Sequence, residues 1–141
     1  MREAYRQWRA AAPEGARPDL IYDVPFTPSV ELLREAAVAA VRAEPAPDAV
    51  VTGHDGVAII ALLAAIEAGL RVPEDLLIAS LIDSPALRVA SPAITAIDLG
   101  PAEMGRRAAA MLNALIEGTA APGAIEVLQP RLHLRESTAR G

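Results

Sequence analysis

The run Leu76-Leu77-Ile78-Ala79-Ser80-Leu81-Ile82 narrows what this chain can become more than any other segment. It carries almost no polar side chain until Asp83, and a strand without a polar face has to be covered on both sides. That condition is met in parallel sheets flanked by helices. Asp48 to Thr52 is a second brief apolar run, and Ile94 to Leu99 is a third. Leu20-Ile21-Tyr22 with Val24 reads as a further strand, which stops at Pro25. Ile125 to Leu128 and Leu132 to Leu134 are expected to form short final strands on either side of Pro130.

Helical patterns alternate with these runs. Ala4, Tyr5, Trp8 and Ala12 share one helical face, and Tyr5 and Trp8 are read as anchors to the core. Thr27 and Pro28 form an N-cap followed by proline at the first helical position, which opens a helix ending near Ala43. Asp55 stands where an N-cap would accept helix amides, and Gly69 closes the helix that it opens. Gly100-Pro101 opens a last helix, with Met104, Ala108, Met111, Leu112 and Leu115 on one face. The segment from Ser137 to Gly141 is expected to fray. Strands separated by helices argue for an α/β fold with a doubly wound, mainly parallel sheet. Ligands in such sheets lie beyond the carboxyl ends of the strands, which directs attention to Phe26, His54 with Asp55, and Asp83.

Charge and composition exclude several functions. Eighteen acidic against 13 basic residues leave a net charge of −5, with no basic stripe to grip phosphates. Aromatic residues are 3% of the chain, too few for a base-stacking platform. Cysteine is absent, so there is no disulfide framework or thiolate metal site, and no cofactor is expected. The longest strongly apolar stretch, Val57 to Leu70, is too short to span a bilayer and contains Glu67. No signal-peptide core follows Met1, so a cytoplasmic location is expected. Neither a G-x-S-x-G elbow, a G-x-G-x-x-G turn nor a Walker loop is present, and His133 lacks a second histidine at metal-ligand spacing. An enzyme using His54 and Asp83 as acid and base on a flavodoxin-like sheet is the alternative that the strand-end positions leave open.

The segment Pro47-Asp48-Ala49-Val50-Val51-Thr52-Gly53-His54-Asp55, followed by Glu67-Ala68-Gly69-Leu70-Arg71-Val72-Pro73-Glu74-Asp75, resembles the effector domain of LacI/GalR transcriptional regulators. The likeness continues through Asp83-Ser84-Pro85, Ser91 to Thr95, Met104 to Ala109 and Arg135-Glu136-Ser137. It implies a periplasmic-binding-protein-like type I subdomain that binds a small metabolite, a sugar or a nucleoside, and so modulates DNA binding by a helix-turn-helix head outside this chain. Residues 1–99 would form the C-terminal subdomain, residues 100–130 the helix and strand that cross to the other subdomain, and residues 131–141 a terminal strand and tail. A repressor fragment that no longer senses is the other alternative.

The resemblance also implies site residues. Phe26 matches the aromatic that lies against the effector, and His54 matches a polar effector contact. The effector-binding aspartate aligns to Ile82, with Asp83 one place later. The effector-binding arginine falls at Met1, with Arg2 beside it, which implies truncation there. Phe26, His54, Asp83 and Arg2 are therefore the candidate effector contacts. The helix from Val57 to Ile66 is apolar nearly all round, so it needs a second buried face. By resemblance that face joins a homodimer through Val57, Ile60, Ala61 and Ala64, with Leu87 from the Ala86 to Ala90 loop. No metal site, membrane contact or catalytic residue is expected.

Overall fold

The computed structural model describes residues 2–11, 29–121 and 123–140. The expected strand from Leu20 to Val24, together with Phe26, Thr27 and Pro28, lies outside them. In chain order the elements are helix α1 (Arg2–Ala10), helix α2 (Val30–Val41), strand β1 (Ala49–Thr52), helix α3 (Asp55–Glu67), strand β2 (Leu77–Ser80), helix α4 (Pro85–Val89), strand β3 (Thr95–Asp98), helix α5 (Pro101–Ile116) and strand β4 (Arg131–His133). A 3-10 turn follows at Glu136–Thr138. The strands lie side by side in the order β1-β2-β3-β4. The first three are parallel and β4 runs antiparallel to β3. The mainly parallel α/β sheet expected from the apolar runs is therefore present.

Several boundaries differ from expectation for local reasons. Helix α2 is capped by Ser29, whose extended backbone lets Oγ accept the Leu32 amide at 3.2 Å. A cap of this kind stabilises a helix by about 1 kcal/mol. Helix α3 is capped by His54 rather than Asp55: the imidazole Nδ1 accepts the Gly56 amide at 3.2 Å. Asp55, already inside the helix, accepts the same amide at 2.8 Å. Gly69 ends that turn at φ 76°, a left-handed conformation that glycine adopts without a Cβ clash. Residues 124–130 form no strand.

The core forms where α3 meets the sheet on one side and α2 on another. Leu76, Ile78, Leu87 and Ile94 are fully buried, joined by Ala58, Ala61 and Ala65 from α3 and by Ala37 and Val41 from α2. Small residues let the two helices approach closely, which explains the abundance of alanine. The second buried face that α3 requires is thus supplied largely by α2 of the same chain. It is not complete, since Leu63 and Ile66 each remain 54% exposed.

The end of the chain departs furthest from expectation. Ser137 is fully buried, with its Oγ donating to the Ile78 carbonyl at 2.6 Å and accepting the Thr95 amide at 2.9 Å. Those backbone groups belong to β2 and to the start of β3, where the ladder between the two strands is short. A hydroxyl fills the gap because it can donate and accept at once. Thr95 Oγ1 and Thr138 Oγ1 lie 2.6 Å apart, and Glu136 accepts the Ala93 amide at 2.8 Å. Residues 136–138 are therefore part of the body, not a frayed end.

Candidate functional site

The three parallel strands place their carboxyl ends side by side. Thr52 pairs with Ser80, and Ser80 with Ala96, so His54 and Ile82 each stand two residues beyond the same level of the sheet. The strands stay joined past that level through Leu81 N to Thr52 O at 2.9 Å and Asp83 N to Ile97 O at 2.9 Å. Adjacent strands lie about 4.8 Å apart, so these strand ends are close neighbours on one edge of the sheet.

His54 is held at that edge by its own helix. Thr52 Oγ1 donates to the His54 carbonyl at 3.0 Å, and the ring caps α3 through Nδ1. A nitrogen that accepts an amide carries no proton, so the assigned hydrogen sits on Nε2. The side chain is 64% exposed, leaving Nε2–H available to an acceptor on a ligand. Asp55 Oδ1 lies 3.1 Å from Nδ1, and both atoms accept the Gly56 amide.

Asp83 has a different task from the one expected. Its side chain is only 2% exposed, and Oδ2 takes hydrogen bonds from Arg135 Nη2 at 2.9 Å and Arg88 Nη2 at 2.9 Å. Arg135 also donates to the Ile94 carbonyl at 2.6 Å. The hydrogen bond from Arg135, helped by Arg88, holds the Asp83 carboxyl below the usual carboxylate range against the opposing effect of burial. Asp83, expected as an effector contact, here ties the end of β2 to α4 and to the chain after β4.

The other expected contacts divide. Phe26 lies outside the described residues, and Arg2 sits at the start of α1 with no described side-chain geometry. Of the expected dimer residues, Ala61 and Leu87 are fully buried in this chain's own core, which removes them from any surface a second copy could touch. Val57 and Ile60 are half-buried. Ala64 forms the floor of a groove of about 190 Å³ between α2 and α3, beside Val38, Ile60 and Leu63.

Ile82, the position aligned with the effector-binding aspartate, is 39% exposed at the end of β2. Two residues past the same level on β3 stands Asp98, which the sequence reading did not single out. Arg135 was missed as the partner of Asp83 because 52 residues separate them and no local pattern links the two. Among the described residues, no group of three acidic, histidine or cysteine side chains could hold a metal ion. None of the described helices is long and apolar enough to cross a membrane.

Comparison with known proteins agrees with this geometry. A family model described as a periplasmic binding protein-like domain matches residues 1–138. The HTH-type transcriptional regulator MalR of Streptomyces coelicolor is 37% identical over 91 residues, covering 64% of this chain and 26% of that protein. The HTH-type transcriptional repressor PurR of Yersinia enterocolitica is 38% identical over 96 residues, covering 67% of this chain and 28% of that protein. The chain thus spans between 26% and 28% of the length of these curated relatives. Among solved structures, a LacI family transcriptional regulator from Arthrobacter sp. FB24 in complex with lactose is 36% identical, with a TM-score of 0.70 over 77% of this chain and 41% of that one. The transcription regulator CcpA of Lactococcus lactis is 25% identical, with a TM-score of 0.75 over 98% of this chain and 48% of that one. The chain belongs to the periplasmic binding protein-like domain family, in the form found in LacI/GalR-type transcriptional regulators.

Proposed function

We propose that this chain is the effector-sensing part of a LacI-type regulator, in which a small cytoplasmic metabolite held at the carboxyl edge of the sheet biases the placement of a DNA-binding head. The observation that carries this reading is His54. Its imidazole is exposed, oriented by the first turn of α3, and placed where parallel sheets bind ligands. Two features favour binding over turnover. The matched relatives are transcription regulators, and the carboxylate that would complete an acid–base pair with His54 is buried between two arginines. The output would then be a difference in affinity between two conformations.

A homodimer is part of the same proposal. Leu63 and Ile66 on α3, with Val57 and Ile60 beside them, form the apolar surface that supports it. A sensing chain should be stabilised by its effector. A ligand at a hundred times its dissociation constant contributes about 2.7 kcal/mol, on the order of an 8 °C rise in melting temperature for a domain of this size. A thermal-shift screen of sugars and nucleosides is expected to find such a compound, and His54→Ala is expected to weaken its effect. A screen without any shift, or turnover that depends on His54, would overturn the sensing reading.

A further inference from the structure

The outer surface of α2 and α3 carries two charges that the fold leaves unanswered. In the groove between these helices, Val30, Arg34 and Val38 line the α2 wall, and Ile60, Leu63 and Glu67 line the α3 wall. Helical spacing puts each set on one stripe of its helix. Val30 is 69% exposed and Leu63 54%, so the apolar part of the groove faces water. Arg34 is the one cation within α2, and Glu67 is the one charged residue of α3 beyond its first turn. Both are exposed. Although they line the same groove, neither has an ion pair or side-chain hydrogen bond among the described residues.

Resting on the homodimer reading, we infer that this groove is complementary to itself: a second copy of the chain packs its own α2–α3 face there, about a two-fold axis lying along the groove, and Arg34 of each copy pairs with Glu67 of the other. An axis so placed exchanges the walls, so that α2 of each copy faces α3 of its partner. An axis crossing the groove would instead set α2 against α2, bringing arginine towards arginine and glutamate towards glutamate, and like charges set against each other disfavour a contact. The charge pattern is also what singles out a second copy as the occupant. One cation and one anion on opposite walls answer each other after the exchange, whereas a different partner has to bring both charges in that same order. Burial of Val30 and Leu63 drives the contact, and the paired charges fix its orientation.

The test is sedimentation equilibrium of the full chain and of charge-reversed variants. Arg34→Glu and Glu67→Arg should each weaken self-association about tenfold or more, a factor equal to about 1.4 kcal/mol, because the two-fold contact then holds two like-charged pairs. Mixing these two variants should restore a dimer of parent strength, since each chain presents to the other the charge that it lacks. The double variant, Arg34→Glu with Glu67→Arg, should dimerise on its own for the same reason. Circular dichroism checks folding, and should one single variant misfold, the other together with the double variant carries the test. A parent chain that dimerises with a dissociation constant that neither reversal changes would overturn the pairing and leave the homodimer reading standing. Weakened variants that neither mixing nor the double change rescues would do the same. A parent chain that stays monomeric at every concentration would remove the homodimer reading and the pairing with it.

Discussion

Helix α5 and the turn at Glu136–Thr138 lie at opposite extremes of burial. The helix has sixteen residues, among them Met104, Leu112, Leu115 and Ile116, yet none of its side chains is buried. The turn has three polar residues, and Ser137 is wholly buried. Apolar content therefore does not decide which segment joins the body. The deciding factor is that backbone groups of β2 and β3 lack strand partners at their junction, and Ser137 supplies them, whereas α5 satisfies its own backbone and leaves its apolar face open. The contrast separates a fixed unit, β1 to β3 with α2, α3 and the turn, from a projecting one, α5 with residues 123–130.

The strongest challenge to this division is Arg135→Ala. Removing one partner of a buried ion pair costs about 3–5 kcal/mol, and urea denaturation should register most of that loss. A change below about 1 kcal/mol would show that Arg88 alone satisfies Asp83. Acid should expose the same link. Asp83 has a folded pKa below its unfolded value of about 3.9, so its contribution is present above that pH and disappears as pH falls through the folded pKa. Denaturation midpoints measured between pH 6 and pH 2, approximate limits bracketing that value, should fall less steeply for Asp83→Asn than for the parent chain.

Ser137→Ala is a smaller perturbation, because it leaves the Ile78 carbonyl and the Thr95 amide buried without a partner, at a cost of roughly 1–3 kcal/mol. Leu112→Ala should be the mildest, within about 0.5 kcal/mol, since the side chain is exposed. A loss of 2 kcal/mol or more, the range typical of buried leucine, would place α5 in the body and erase the division.

Much of the fixed unit was legible in the amino-acid order. The aliphatic run at Leu76 to Ile82 required cover on both faces, and the all-round apolar α3 required a second partner, which α2 provides. Local signals also located His54, although its capping role fell to the imidazole and not to Asp55. The misreadings have one physical source. Asp83 and Ser137 look like exposed polar residues because their partners lie 52 and 59 positions away, and periodicity carries no information about contacts at that separation. Ile125 to Leu128 has the composition of a strand, but composition alone does not bring it to a partner strand.

The hydroxyl of Ser137 has a consequence for the time course of folding. A chain emerging from the ribosome completes β2 and β3 well before it reaches Ser137, which bonds residues 59 and 42 positions earlier. Until that residue arrives, the junction of the two strands holds an unpaired carbonyl and amide in contact with water, and contacts of such sequence separation form slowly. The junction of β2 and β3 is therefore fully paired only once the chain has been made through Ser137.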